Sequence, residues 1–309
     1  MNYCLRCNKQ LDEASHYGQH LKCFEEIFRV EGRVKFHSLV RKSSTSDAGK
    51  EYPHESPHLT SYFGGNYRKY EGILGDARYI LKLSKEEYPE LAPVEFVCNK
   101  IAYHCGLAIP TPFTLINLEE GELAFVSRNF MDRQPKHATI NHLYHYLKPG
   151  PEHYTVEELN RAIYRETSSA ADVEMFIRIL LVDALVGNHD RHGKNLALIV
   201  TAKGKRLTPI YDNPSYLGLE SGAMLKADFA PKGKIWTKAS KEPEMTEYLA
   251  EIERLGVFHI AKEFYKKISR DTIHAYIDDS HSLSDRMKTA LLKLILRRYG
   301  DLENYVNAR

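Results

Sequence analysis

The sequence predicts an α+β fold in two lobes, a small strand-rich lobe followed by a larger helical one, with a cysteine-containing module in front. Three observations carry that expectation. Short β-like segments with one helical stretch among them fill residues 59–128, helical periodicity dominates residues 129–309, and two pairs of soft metal ligands fall within the first 23 residues. A chain of 309 residues, 43% hydrophobic and 27% charged, has enough apolar surface for two cores of this kind.

The module, residues 1–30, rests on Cys4-x2-Cys7 and, after twelve residues, His20-x2-Cys23. Each x2 turn presents two soft donors to one ion. Two such pairs form the tetrahedral set of a structural Zn²⁺, with no open position for water. His16 is an alternative to His20 as the fourth ligand. Cys98 and Cys105 fall seven residues apart on an expected helix and read as core packing. Five cysteines, an odd number, argue against a disulfide framework. The first residues show no basic region followed by an apolar stretch, and no apolar run approaches the roughly 18 residues of a membrane span. A cytoplasmic protein with no membrane partner is expected. A formal charge of +2 is too mild to predict direct binding to nucleic acid.

Residues 31–58 read as a linker or loop, Ser43 to His58 being rich in Ser, Lys, His and Pro without any period. Within the small lobe, Gly72 to Asp76 reads as a turn and Arg78 to Leu83 as a strand. Glu95 to Cys105 carries apolar residues at helical spacing, and Phe113 to Asn117 and Glu122 to Ser127 read as two more strands. In the helical lobe, Val173, Phe176, Ile177, Leu180 and Ala184 recur on one face of a helix capped by Ser169 with Asp172. Helices are also expected over Thr246 to Ile268, broken at Gly256, and over Ser284 to Tyr299. The basic stretch Lys226 to Lys241 reads as solvated surface.

The chemistry concentrates where the Val173 helix ends, in the polar loop Gly187 to Asn195, which an apolar strand from Leu196 to Val200 follows. A second strand-like piece, Leu207 to Tyr211, then delivers Asp212. In a kinase this order has a mechanical purpose: a loop Asp accepts the hydroxyl proton, an Asn five residues later binds Mg²⁺, and an Asp after a hairpin holds the metal against the phosphates. Asp190, Asn195 and Asp212 match by residue type and order. Phosphoryl transfer needs little covalent help, so metal charge and alignment supply most of the catalysis. Each residue alone could be an ordinary turn or cap residue, and it is their joint occurrence that points to chemistry.

The loop Asn188-His189-Asp190-Arg191-His192-Gly193-Lys194-Asn195, with Ile210-Tyr211-Asp212, resembles the catalytic and metal-binding segments of HipA-like serine/threonine kinases, the toxin halves of bacterial toxin–antitoxin pairs. The resemblance covers about residues 56–300. Ile80-Leu81-Lys82-Leu83 matches the family's strand lysine that contacts ATP phosphates, and Leu107-Ala108-Ile109-Pro110 matches the Leu-x-x-Pro after its small-lobe helix. Val126-Ser127-Arg128-Asn129-Phe130 resembles the strand leading to the hinge, where backbone groups meet adenine. The resemblance implies a bilobal protein-kinase-like fold with ATP and Mg²⁺. Asp190 is then the catalytic residue, Asn195 and Asp212 the Mg²⁺ ligands, and Lys82, Arg128, Phe130, Glu95 and Lys194 surround ATP. Glu95 would pair with Lys82, as in kinases generally.

The family's phosphate-binding Ser-x-x-Gly-x-Gln-x-Lys is altered here to Ser61-Tyr62-Phe63-Gly64-Gly65-Asn66-Tyr67-Arg68. Gly64 and Gly65 still permit close backbone approach to phosphate, with Arg68 or Lys69 for charge. By the same alignment Ser61 is the autophosphorylation candidate, with Thr60 and Ser56 nearby. The resemblance further implies phosphorylation of a Ser or Thr on an intracellular protein, aminoacyl-tRNA synthetases being the family precedent, and a HipB-like or HipS-like antitoxin as partner. The N-terminal subdomain of full-length HipA proteins finds no counterpart in this sequence, which points to a short HipT-like or other compact branch. Two readings compete. A calcineurin-like metallophosphoesterase would set His189, Asp190 and His192 around two metals. It also needs an early Asp-x-His, and the two such triplets here, Asp190-Arg191-His192 and Asp279-Ser280-His281, are misplaced. A catalytically degenerate kinase fold serving as a binding protein is favoured by the altered phosphate loop and opposed by Lys82, Asp190, Asn195 and Asp212.

Overall fold

The structure is a computed structural model that describes residues 3–12, 15–42, 68–118, 121–191, 195–220, 225 and 232–309. At the N-terminus a two-strand hairpin, β1 (Ser15–His16) and β2 (Gln19–His20), runs directly into helix α1 (Leu21–Phe28). Tyr17 and Gly18 between the strands have φ of 51° and 75°, the paired left-handed conformations of a two-residue hairpin turn. Next come β3 (His37–Lys42), β4 (Arg68–Leu74) and β5 (Ala77–Leu83), helix α2 (Leu91–His104), then β6 (Phe113–Asn117) and β7 (Leu123–Arg128). The five strands form one antiparallel sheet in the order β3-β4-β5-β7-β6. Tyr79, Leu81 and Leu83 alternate along β5 and pack with Phe24 and Phe28 of α1 and with Val126 of β7. Lys82 points the other way, beside Phe125, which packs with Leu115 and with Ala92 of α2. The sheet is thus covered by α1 on one face and by α2 on the other.

The larger lobe comprises β8 (Thr139–His142), α3 (Val156–Thr167), α4 (Ala170–Val186), β9 (Ala197–Thr201), β10 (Gly204–Leu207), α5 (Met245–Arg254), α6 (Phe258–Lys267), α7 (Arg270–Asp278) and α8 (Asp285–Asn307). Strands β10, β9 and β8 form a small antiparallel sheet. Helix α4 is central and is buried continuously from Phe176 to Val186. Ser169 caps it, its hydroxyl accepting the Asp172 N–H at 3.1 Å. Val94, Val97, Cys98, Ile101, Ala102 and Cys105, on or just after α2, belong to the same core as α4. The helix inserted between small-lobe strands is therefore anchored in the large lobe. Among the described residues no helix is long and apolar enough to cross a membrane.

Several elements differ from the sequence reading. Gly72 lies inside β4, paired with Tyr79, and the turn is made by Gly75 (φ 59°) and Asp76. A Cβ on Gly72 would come within 2.7 Å of Leu39, so this glycine marks a close approach of β3. The strand expected over 207–211 ends at Leu207. Beyond it Thr208 N–H still donates to Ala197 O of β9, but Ile210 N–H turns to Ala108 O, so the pairing with β9 is not carried to Tyr211. Helix α2 starts at Leu91, which places Glu95 in its second turn. Helix α8 runs on to Asn307; Gly300 within it costs about 1 kcal/mol, and the fully buried Leu302 beyond it offsets that. Gly256, at φ 76°, separates α5 from α6 as expected. The segment read as a linker contains β3, and its residues 43–58 lie outside the described residues.

Candidate active site and metal-ligand cluster

The polar loop starts at the left-handed C-cap of α4, Gly187. Asn188 turns back, donating from Nδ2 to Asp183 Oδ1 at 2.9 Å and accepting the Asp190 N–H at 3.1 Å. Behind the loop lies Arg191, only 2% exposed. Its Nε and Nη2 donate to the two Asp183 carboxylate oxygens at 2.7 and 3.0 Å, and its Nη1 donates to Asn195 O at 3.2 Å and Tyr211 O at 2.8 Å. One guanidinium therefore ties α4 to the backbone at Asn195 and just before Asp212. Burial opposes both charges of the pair, and the Asp183 carboxylate keeps Arg191 charged, its pKa raised.

Asn195 donates from Nδ2 to Asp190 O at 3.0 Å, and its amide oxygen is an acceptor. Asp212 has φ 48°, unusual for a residue with a side chain. Its carboxylate meets two lysines of the small-lobe sheet: Lys82 Nζ lies 2.6 Å from Oδ1, and Lys69 Nζ lies 3.0 and 3.1 Å from Oδ1 and Oδ2. Lys82 also pairs with Glu95 Oε1, which accepts the Asn213 N–H at 3.4 Å. Burial would raise the Asp212 pKa, but the ammonium groups of Lys69 and Lys82 hold it far below the carboxylate range. For Lys82, burial acts downward and the Asp212 and Glu95 carboxylates more than reverse it. A carboxylate and an amide oxygen are hard donors of the kind Mg²⁺ takes, so the residues present fit that ion.

Lys82, Glu95 and Asp212 thus meet directly, while Asp190 and Asn195 are joined to them through Arg191 and the loop backbone. The Arg128 side chain is held by Asp132 at 2.7 Å and lies over the Tyr79 ring. Phe130 stacks on Tyr211 with centroids 5.8 Å apart. Gly64, Gly65, Ser61 and Lys194, with Thr60, Ser56 and His192, lie outside the described residues. Sequence reasoning missed Asp183. Its signal was a single acid among Ile179, Leu180, Leu181, Val182, Ala184 and Leu185. It also left Lys69 interchangeable with Arg68, which pairs with Glu122.

Cys4, Cys7, His20 and Cys23 form a second cluster, with three sulfurs and a ring nitrogen all within 4.8 Å of one another. His20 Nε2 is held by Gln10 O at 2.9 Å, which turns Nδ1 toward Cys7 Sγ at 3.3 Å and Cys23 Sγ at 3.9 Å. A ring nitrogen fixed by a carbonyl while the other faces thiols is the orientation of a ligating histidine. His16 is turned away, its Nε2 2.8 Å from Val34 O.

Comparison with known proteins points the same way. The family described as HipA-like C-terminal domain matches residues 60–279. A Haemophilus influenzae protein described as "Putative kinase" is 27% identical over 235 residues, 69% of this chain and 68% of that protein. A Sinorhizobium fredii protein also described as a "Putative kinase" is 32% identical over 151 residues, 43% of this chain and 36% of its own length. Among solved structures, the Helicobacter pylori proinflammatory kinase CtkA is similar with a TM-score of 0.66 at 17% identity, over 82% of this chain and 94% of that one. A chain from the Shewanella oneidensis toxin–antitoxin complex of HipA, HipB and operator DNA gives a TM-score of 0.56 at 15% identity, over 88% and 72%. These two likenesses show the fold, and with the family match spanning well over half its length, the chain belongs to the HipA-like kinase family.

Proposed function

We propose that the protein is an ATP- and Mg²⁺-dependent serine/threonine kinase that acts on an intracellular protein and phosphorylates itself at Ser61 or a neighbour. The observation that carries this reading is the convergence on Asp212 of Lys82, itself paired with Glu95, from the opposite lobe. Asn195 and Asp212 supply the oxygens for Mg²⁺, which neutralises charge on the phosphoryl group when bound. Lys82, fixed by Glu95, orients phosphate oxygens, and Asp190 positions the acceptor hydroxyl and takes its proton. Arg191 keeps Asn195 and Asp212 at a set spacing. A HipB-like or HipS-like protein is the proposed partner, in line with the HipA and HipB of the Shewanella oneidensis complex. Cys4, Cys7, His20 and Cys23 hold a structural Zn²⁺.

Intact mass after incubation with ATP and Mg²⁺, beside Asp190→Asn, tests the reading. Added phosphate in the wild type alone, mapping to residues 56–61, is expected. Equal phosphate in both proteins removes Asp190 from its role. No phosphate in a sample that starts unmodified, combined with no ATP binding, removes the kinase reading.

A further inference from the structure

We propose that the N-terminal module is a metal-locked clamp on the free edge of the small-lobe sheet, and that occupancy of the Cys4, Cys7, His20 and Cys23 site sets where Lys82 stands relative to Glu95. The role of Lys82 rests on the kinase reading; the clamp does not.

Strand β6 ends the order β3-β4-β5-β7-β6, so among the described residues one side of its backbone has no strand beside it. The hairpin turn covers that side. Asn117 N–H donates to Tyr17 O at 2.9 Å, while Gly18 O accepts the N–H of Leu5 at 3.0 Å. Leu5 lies inside the Cys4-x2-Cys7 turn, so the two turn carbonyls hold the sheet edge on one side and the ligand loop on the other. Gly18 leaves no slack between them, since a Cβ there would lie 2.8 Å from Leu5 Cδ1 and 2.9 Å from Asn117 Nδ2. Gln19, next to the ligand His20 and fully buried, donates from Nε2 to Thr114 Oγ1 at 3.0 Å and Leu115 O at 2.8 Å. Among the described residues its Oε1 is buried without a partner. Such an oxygen costs about 1–3 kcal/mol, which offsets part of what the two Nε2 hydrogen bonds contribute.

The module also grips both faces of the sheet. Leu5 packs with Ala92, Leu115 and Phe125 on the α2 face, and Tyr17 and Phe24 pack with Phe36 and Tyr79 on the other. Phe125 sits directly across from Lys82 in the β5–β7 ladder, its ring centroid 5.9 Å from Nζ. Contacts therefore run from His20 through Gln19, Leu115 and Phe125 to Lys82. Glu95 is held in addition by the large-lobe core, which the rest of α2 shares. A shift of the sheet edge therefore moves Lys82 more than Glu95. Two-residue strands and an eight-residue helix are too short to be stable alone, so the module depends on its packing against the sheet and, in this proposal, on the metal that joins Cys4, Cys7, His20 and Cys23.

The experiment compares the zinc-loaded full chain with chelator-treated protein, Cys23→Ser and Gln19→Met. Metal content, amide hydrogen exchange and affinity for a fluorescent ATP analogue with Mg²⁺ are measured on each. One zinc per chain is expected. Stripping it, or Cys23→Ser, raises exchange of residues 113–117 and 79–83 by roughly tenfold or more while α4 stays protected. Analogue affinity falls roughly threefold to tenfold. Gln19→Met keeps its zinc and reproduces both effects. Zinc bound and removed with no change in exchange overturns the clamp, as does a chain that takes up no zinc. Raised exchange in a protein whose wild type binds no analogue supports the clamp and overturns the kinase reading instead.

Discussion

Arg68 and Lys69 are neighbours on β4, and the pleat sends them to opposite faces of the sheet. Arg68 goes to Glu122; Lys69, paired with Lys82 across the ladder, goes to Asp212. Since Lys69 touches both Asp212 oxygens, it competes with a divalent cation for that carboxylate. Lys69→Met should therefore bind Mn²⁺ without nucleotide more tightly, by roughly 3–10-fold in calorimetry. Unchanged affinity would mean that Lys69 does not guard the carboxylate. His189 offers a second test at this scale. Burial, with Lys234 and Arg298 adding to it, pushes its imidazole down to about 4. The folded value lies below the unfolded one of about 6.5, so the neutral ring stabilises the fold fully above that pH. The contribution is lost as pH falls toward 4. Between pH 7 and pH 5 the wild type should lose more melting temperature than His189→Gln, and equal losses would clear His189 of the effect.

At the level of elements, α4 and the polar loop act as one unit because Asp183 and Arg191 join them. Removing one member strands a buried charge, so Asp183→Ala should cost about 3–5 kcal/mol in chemical denaturation. Asp183→Leu combined with Arg191→Leu should cost less than either single change. A loss below about 1 kcal/mol for Asp183→Ala would show that the pair is not the anchor. Helix α4 was legible from its apolar period and Ser169 cap, and the loop from the short spacing of Asp190 and Asn195, which lie close along the chain. The partners of Arg191 were not legible, because Asp183, Asn195 and Tyr211 converge only after three elements have packed. The same holds for 208–211: Leu207 and Ile210 fit a strand pattern, yet the Ile210 N–H is satisfied by Ala108, from the segment after α2 and about a hundred residues earlier in the chain. Helix α3 carried a readable signal, Thr155 three residues before Glu158, whose N–H its hydroxyl accepts at 3.1 Å.

Across the whole molecule, α2 is the joint between lobes. Lys100 lies 4.4 Å from the Tyr276 ring, His104 Nδ1 lies 3.1 Å from the Tyr276 hydroxyl, and Glu90 accepts the Ser284 N–H at 2.6 Å. Amide exchange of residues 94–105 should track α4 and not the β3–β4 edge; exchange at the rate of that edge would assign the helix to the small lobe.

The sharing of α2 with the large-lobe core bears on control. Swinging this helix outward would expose Val94, Val97, Ile101 and their neighbours, at about 1.5–3 kcal/mol for each large side chain. That sum exceeds the 1–3 kcal/mol by which effectors commonly couple distant sites. The Lys82–Glu95 contact is accordingly made at rest, and a partner that restrains this protein would do so by obstructing its cleft, leaving the machinery behind the obstruction already assembled.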